Sequence, residues 1–223
     1  ALHGNPMGFL TAGHSHASLM AVELSLAGRP VLVDPGTYRY VAEARTEYRA
    51  FSRHNVLDIE GVDPPHPVGP FKWSFPDGPW IAELEPIDGG VRATRLVGSG
   101  ATGDQVRHER CIRLLNTRSA WVEDRVSSGR PRRLQYSLHL PPGSLLAQPE
   151  PAVIAFELES GGTLRLRVED LESDDGWESW TVEREWYWMS RRYGQRERAP
   201  CLRLRRPGAA RISTRIRVDV TCP

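Results

Sequence analysis

Three histidines and an aspartate near the start of the chain have the residue types of a metal-binding site. His14 and His16 are separated by one serine, Asp34 follows an apolar run, and His54 lies farther along the chain. Side chains two apart in a strand project from one face, so the first two imidazoles are expected to point the same way. Imidazoles with one carboxylate suit a borderline cation such as zinc, and His16, Asp34 and His54 are the candidate ligands.

The residues alone leave the metal and its chemistry open. A cupin-type site also contains His-x-His, but it requires a glutamate four or five residues after the second histidine, and Glu23 lies farther on. Its second half requires a histidine soon after Pro-x-Gly, whereas a tyrosine follows Asp34-Pro35-Gly36. A two-histidine, one-carboxylate oxygenase triad is another interpretation, and it would bind iron rather than zinc. Scattered ligands are less specific than a compact zinc-finger spacing, so ordinary structural histidines stay an alternative.

Short strand-like segments recur along the chain and must position these side chains. Alternating or apolar runs are separated by glycine, proline and aspartate, which is typical of antiparallel sheets with one buried face. We therefore predict an all-β fold, an antiparallel β-sandwich, forming one domain over residues 1–223. Residues 21–33 predict a hairpin, and residues 42–51 are the best helical window. Further strands are predicted at 54–59, 80–84, 90–96, 108–115, 120–126, 133–139, 152–158, 163–169, 180–185, 201–205 and 210–220.

The bulk composition excludes some classes of partner. Basic and acidic residues nearly balance, with a formal net charge of +1, so no overall field favours nucleic acid. No stretch is long and apolar enough to predict a membrane span. Lys72 is the only lysine among 29 basic residues. Arginine forks suit the carboxylates and sulfates of an acidic glycan, although a GC-rich genome would produce the same bias. The three widely spaced cysteines do not form a disulfide framework.

Several motifs occur in an order that resembles one known family. They are Gly13-His14-Ser15-His16-Ala17, Asp34-Pro35-Gly36-Thr37, His54-Asn55-Val56 and Ser190-Arg191-Arg192-Tyr193-Gly194. In this order they resemble the C-terminal β-sheet domain of the heparinase II/III family of polysaccharide lyases. The resemblance extends over most of the chain.

This resemblance implies a supersandwich-like domain that works with a helical toroid domain upstream of it. We expect the chain to be a fragment that lacks the toroid and has little or no lyase activity alone. The full-length protein is then a bacterial polysaccharide lyase, periplasmic or secreted, that cleaves an acidic, uronate-containing glycan such as a glycosaminoglycan by β-elimination. The alternative is a noncatalytic glycan-binding or structural module of an exopolysaccharide-related protein. A tyrosine and an asparagine or histidine in the toroid's cleft would favour the enzyme.

The resemblance also implies roles for individual residues. His16, Asp34 and His54 match the family positions that hold a structural zinc ion in several members. His14 matches the histidine that helps to neutralise the charge of the substrate. A metal on His16 would brace the segment that directs His14 into the cleft.

Aromatic side chains supply the remaining candidates. Tyr40 and Tyr48 lie between the aspartate and the last histidine, where some members carry a second catalytic tyrosine, and Tyr48 is our first choice. A late aromatic cluster has two interpretations, a platform for sugar rings or part of the core. It comprises Trp177, Trp180, Trp186, Tyr187 and Trp188.

Overall fold

The computed structural model confirms the all-β fold class. It describes residues 1–4, 7, 12–40, 43–76, 80–99, 104–146, 153–159, 161–171 and 180–221. Among these residues there are fourteen strands, one α-helix and one 3-10 helix. No helix in this part of the chain is long and apolar enough to cross a membrane. Trp177 and the last cysteine, Cys222, lie outside the described residues.

The elements are named in chain order. The strands are β1 Leu24–Leu26, β2 Arg29–Leu32, β3 Leu57–Ile59, β4 His66–Pro67, β5 Trp73–Ser74, β6 Glu83–Ile87, β7 Gly90–Ser99, β8 Asp104–Asn116, β9 Ser119–His139, β10 Leu145–Leu146, β11 Val153–Glu157, β12 Thr163–Asp170, β13 Thr181–Arg192 and β14 Gln195–Thr221. The helix α1 spans Glu43–Arg49, and a 3-10 helix follows at Phe51–Arg53. The predicted helical window therefore contains a real, short helix.

One large antiparallel sheet contains ten of the strands. Its order is β10-β11-β12-β14-β9-β8-β7-β6, while β13 pairs with β14 and β3 pairs with β9. The first part of β14 pairs with β13 and its last part pairs with β12, and β9 likewise pairs with β3 near its end and with β8 near its start. These changes of partner build the predicted β-sandwich from two long central strands.

Two predicted breaks between strands are wrong. Residues 120–126 and 133–139 belong to one strand, β9, and residues 201–205 and 210–220 belong to one strand, β14. Pro131 lies between the first two ranges, and Pro207-Gly208 lies between the other two. The pairing of β9 with β14 instead shifts register on both sides of Ala209, so the extra residues are accommodated as irregularities within continuous strands.

The β1–β2 hairpin confirms the first predicted hairpin. Its turn is Ala27-Gly28, with φ values of +50° and +72°. Both central residues of a type I′ turn have positive φ, and this turn suits the right-handed twist of two paired strands. The chain therefore reverses before Arg29, and β2 directs the residues that follow it towards the candidate site.

The hydrophobic core has two parts. A large cluster extends from Ala17 to Val220 and contains most of the buried aliphatic side chains of the sheet. A smaller cluster lies where β2 ends beside the β13–β14 hairpin. Its members are Val33, Tyr187, Met189, Ala199 and Cys201.

A buried polar network lies inside the larger sheet. Asp124 accepts hydrogen bonds from Arg110, at 2.8 and 3.0 Å, and from the hydroxyl of Tyr136 at 2.8 Å, and it pairs with His108 at 2.7 Å. Arg110 also donates to the carbonyl oxygens of Met20 and Asn55. A buried charge pair is tolerated only when its remaining hydrogen bonds are satisfied, and these contacts satisfy them. The network thereby fixes the backbone next to His54.

Candidate functional site

Asp34 lies just beyond β2 in a tight turn. Its Oδ1 accepts a hydrogen bond from the backbone N–H of Gly36 at 2.8 Å, which is a common turn contact for aspartate. Gly36 has a φ of +79°, a value that glycine adopts without steric cost. The other carboxylate oxygen, Oδ2, lies 2.6 Å from Nδ1 of His54. The turn therefore presents one carboxylate to the buried imidazole.

His54 and His16 complete a three-residue cluster. His54 follows the 3-10 helix and is fully buried, and its Nε2 has no hydrogen-bond partner among the described residues. The rings of His16 and His54 are 5.3 Å apart. One potential ligand atom from each of His16, Asp34 and His54 lies within 4.8 Å of the others. The structure thus brings together the three predicted ligands from three separate segments.

The electrostatics of the cluster favour a metal cation over protons. Burial, with a contribution from His54, lowers the pKa of His16 to about 4, so its imidazole is neutral at pH 7. Burial alone would raise the pKa of Asp34, but the hydrogen bonds from His54 and Gly36, together with the charge interactions with His54 and His16, outweigh it and hold that pKa below its usual value. A neutral imidazole and an ionised carboxylate are the forms that ligate metals. This donor set, with an orphaned buried His54 nitrogen, fits Zn²⁺.

Asn55 holds the ligand-bearing segments together. Its Nδ2 donates to the carbonyl oxygens of Val22 and Val33 at 2.7 and 3.0 Å, and its Oδ1 accepts from the backbone N–H of His139 at 2.6 Å. Val33 precedes Asp34, and Asn55 itself follows His54. One buried amide therefore joins three segments that surround the cluster.

Two buried arginines of α1 fix the segment that carries His14 and His16. Arg45 donates to the carbonyl oxygen of Gly13 at 2.7 Å, and Arg49 donates to that of Ser15 at 2.9 Å. Both arginines are fully buried, and their charges also lower the pKa of His16. Sequence reasoning missed them. Their spacing, four apart on one helix face, was the available signal, but nothing in the sequence showed that this face is buried.

His14 lies apart from the cluster of His16, Asp34 and His54. Residues 12–18 form turns and bends rather than a strand, so the expectation that His14 and His16 share a strand face is wrong. His14 is exposed, and its ring lies 5.4 Å from that of Tyr40 and 6.2 Å from that of Phe71. The hydrogen bonds to the buried arginines hold the intervening backbone in this irregular form. As a result, His16 lies against Asp34 and His54, whereas His14 faces solvent beside the rings of Tyr40 and Phe71.

The two candidate tyrosines occupy different environments. Tyr40 is 44% exposed, and its ring also lies 5.8 Å from that of Tyr193. Tyr48 is only 2% exposed, and its ring stacks on Tyr38 at 5.9 Å. Its hydroxyl has no partner among the described residues, and burial raises its pKa to about 12. Tyr40 can therefore contact a ligand that also contacts His14, whereas Tyr48 is covered.

Comparison with known proteins identifies the family. Residues 3–218 match the family described as heparinase II/III-like, C-terminal. The chain belongs to this family. The similar solved structures include a heparinase III gene product, with a TM-score of 0.72 and 16% identity over 99% of this chain and 32% of that one. Heparan sulfate lyase HepC from Pedobacter heparinus has a TM-score of 0.69 and 17% identity over 100% of this chain and 33% of that one.

The matched structures are of much longer chains than this one. A third structure, of heparinase III, has a TM-score of 0.67 and 12% identity over 98% of this chain and 31% of that one. A search of curated protein sequences finds no significant match. This heparinase II/III-like chain therefore spans about a third of the length of the solved structures that share its fold.

Proposed function

We propose that this chain is the C-terminal part of a polysaccharide lyase that cleaves an acidic, uronate-containing glycan by β-elimination. The observation that carries the proposal is that, in this family member, the exposed rings of His14 and Tyr40 lie 5.4 Å apart, and His14 is two residues from His16 of the three-residue cluster. The three similar structures described above are of heparinase III proteins and a heparan sulfate lyase. A glycosaminoglycan is therefore the substrate to test first. An upstream helical toroid domain of the same protein would form the other wall of the cleft, and export to the periplasm or beyond would bring the enzyme to such a glycan.

The chemistry sets the roles. A base removes the proton next to the uronate carboxylate, and the glycosidic oxygen leaves with a proton. That C–H proton is weakly acidic while the carboxylate is charged, so donors that stabilise the developing enolate lower the barrier. His14 is exposed, and we assign it the role of neutralising the charge of the substrate carboxylate. A tyrosine beside it transfers a proton at the reacting carbon or at the leaving oxygen, and the exposure of Tyr40 favours it over Tyr48.

A structural Zn²⁺ ion is the cofactor of this proposal. His16, Asp34 and His54 would hold it, and it would supply cross-linking of three chain segments rather than chemistry on the substrate. Because Ser15 lies between His16 and His14 and its carbonyl oxygen is held by Arg49, a fixed His16 also fixes His14. His14 thus depends on the cluster without belonging to it.

The catalytic roles are tested in the full-length protein with heparan sulfate as substrate, by the ultraviolet absorbance of the unsaturated product. His14→Ala and Tyr40→Phe are expected to lower kcat/KM by about 100-fold or more, the usual contribution of a positioned proton-transfer or electrostatic group. Tyr48→Phe keeps the ring and should change activity little. His66→Ala, at an exposed imidazole of β4, is the control. Wild-type turnover by the His14 variant, or a selective loss in Tyr48→Phe, would overturn the assignment.

The metal is tested separately by plasma mass spectrometry of the purified chain. We expect about one zinc per chain, lost in His16→Ala and in Asp34→Ala and retained in His66→Ala. Thermal stability should fall with the metal, because binding energy of a structural ion contributes to folding. Unchanged zinc content in both ligand variants would refute the site, and iron in place of zinc would favour oxygenase chemistry.

A further inference from the structure

One face of the β13–β14 hairpin carries exposed tryptophans and arginines in alternation. On β13, Arg184, Trp186 and Trp188 are spaced two apart and so project from one side of the strand. On β14, Arg198 is directly opposite Trp188. We call the set Tyr38, Arg184, Trp186, Trp188, Arg196 and Arg198 the arginine–aromatic strip.

The side chains of this strip stack on one another. The guanidinium of Arg196 lies 4.4 Å from the ring centre of Trp188 and 5.2 Å from that of Tyr38. The guanidinium groups of Arg184 and Arg198 lie 4.4 and 5.1 Å from the ring centre of Trp186. Cation–π contacts at these distances hold guanidinium planes against the rings and leave their N–H edges free to bind. The strip is therefore an ordered surface of alternating rings and positive charges.

Packing within the chain does not explain these tryptophans. Trp186 and Trp188 are 47% and 37% exposed, although large aromatic side chains are usually mostly buried. The core contacts of β13 are made by the intervening residues Tyr187 and Met189, which belong to the smaller cluster. The rings of the strip thus lie on the face that the core does not use.

The charges of the hairpin are also sorted between its two faces. Its glutamates alternate with the strip residues, and each pairs with an arginine that is not in the strip. The pairs are Glu183–Arg205, Glu185–Arg203 and Glu197–Arg191. Among the described residues, the arginines of the strip make no ion pair. A row of positive charges without compensating carboxylates is complementary to an anionic ligand.

The strip adjoins the turn that follows Asp34. The backbone N–H of Ser190 donates to the carbonyl oxygen of Pro35 at 2.8 Å, and that of Gly194 donates to the carbonyl oxygen of Tyr38 at 2.8 Å. The end of the hairpin is therefore fastened to the turn that follows Asp34. Tyr38, the first ring of the strip, stacks on Tyr48. A chain lying along the strip would reach the surface formed by the residues after Asp34.

We propose that the arginine–aromatic strip binds an anionic polysaccharide outside the cleft. Flat faces of the sugar rings stack on Trp186 and Trp188, and carboxylate or sulfate groups accept paired hydrogen bonds from Arg196 and Arg198. The inference rests on the proposed acidic-glycan function and extends it, because it gives the enzyme a contact with several sugars beyond the bond that is cleaved. It requires neither the metal nor the catalytic groups.

Calorimetric titration of the 223-residue chain with a heparin oligosaccharide tests the strip. Trp186→Ala with Trp188→Ala, and separately Arg196→Ala with Arg198→Ala, are each expected to weaken binding at least tenfold. The matched control is Arg165→Ala with Arg167→Ala, which removes two exposed charges from β12 without removing a cation–π contact. Neutral dextran should not bind. Affinity of the wild-type chain should fall steeply with added salt, and the slope should be smaller in the Arg196 and Arg198 variant.

Three other outcomes would contradict glycan binding by the strip, and none of them decides the lyase proposal. Equal affinity of wild type and strip variants would place binding elsewhere, and no heparin binding by the wild-type chain would remove the site altogether. If the strip variants instead weaken only the association with an upstream domain, the surface is a domain interface and the proposal fails. The lyase proposal is decided independently by product formation in the His14 and Tyr40 variants of the full-length protein.

Discussion

Replacement of Asn55 by alanine should strongly destabilise the chain. Asn55 is 3% exposed, and its amide makes three hydrogen bonds to backbone groups of Val22, Val33 and His139. Alanine would leave these three groups without that partner in a region that excludes water. A buried hydrogen bond contributes about 1 kcal/mol net, and an unsatisfied buried group costs about 1–3 kcal/mol. Because some relaxation is expected, we predict a loss of about 3–5 kcal/mol in the free energy of unfolding.

Urea denaturation followed by tryptophan fluorescence measures this loss. The midpoint should fall while the slope m stays the same, since the surface exposed on unfolding is unchanged. Asn116→Ala is the matched control, because the Asn116 side chain accepts one hydrogen bond from the backbone of Arg118 in an exposed turn. The control should cost no more than about 0.5 kcal/mol. A loss below about 1 kcal/mol for Asn55→Ala would show that the three segments are held by other contacts.

Three further predictions follow from buried or crowded positions. Burial lowers the pKa of His108 to about 4, so as the pH falls below about 6.5 this imidazole is protonated in the unfolded chain before it is protonated in the folded one. The free energy of unfolding should therefore fall by about 3 kcal/mol between pH 6.5 and about 4, and an unchanged pH profile in His108→Gln would refute this. Gly36→Ala places a Cβ against the carbonyl oxygen of Ser190 at positive φ and should cost about 2 kcal/mol or more, whereas Gly69→Ala, with open space around it, should be neutral in the same denaturation assay. Asp124→Asn leaves a buried guanidinium without its carboxylate and should cost roughly 3–5 kcal/mol, and a cost below 1 kcal/mol on denaturation would contradict the buried pair.

The sequence predicted the elements whose pattern is local. Alternation of apolar and polar residues is a property of each strand, so the fold class and the β1–β2 hairpin could be predicted. The continuity of β9 and β14 through Pro131 and Pro207 could not be predicted, because a register shift that accommodates proline depends on the partner strand. The same reason explains why β9 and β14 were each predicted as two strands.

The candidate site was predictable in its residue types but not in its supports. His16, Asp34 and His54 are recognisable because few residue types ligate metals, and the structure brings them together. Arginine is usually exposed in folded proteins, so the burial of Arg45 and Arg49 depends on the surrounding fold and could not be predicted from the sequence. Whether His14 shares a face with His16 depends on backbone dihedrals that these arginines impose.

The position of β14 has a consequence for how the chain is made. This strand pairs with β9, β12 and β13, all of which precede it, and it occupies the middle of the sheet. During synthesis, β9, β12 and β13 each emerge with an edge that stays unpaired until β14, the last of the described strands, leaves the ribosome. Folding must therefore wait for contacts that are distant in sequence, which is slow and leaves aggregation-prone edges exposed. A truncation before Gln195 would remove the centre of the sheet rather than its margin, and it would separate β10–β12 from β6–β9.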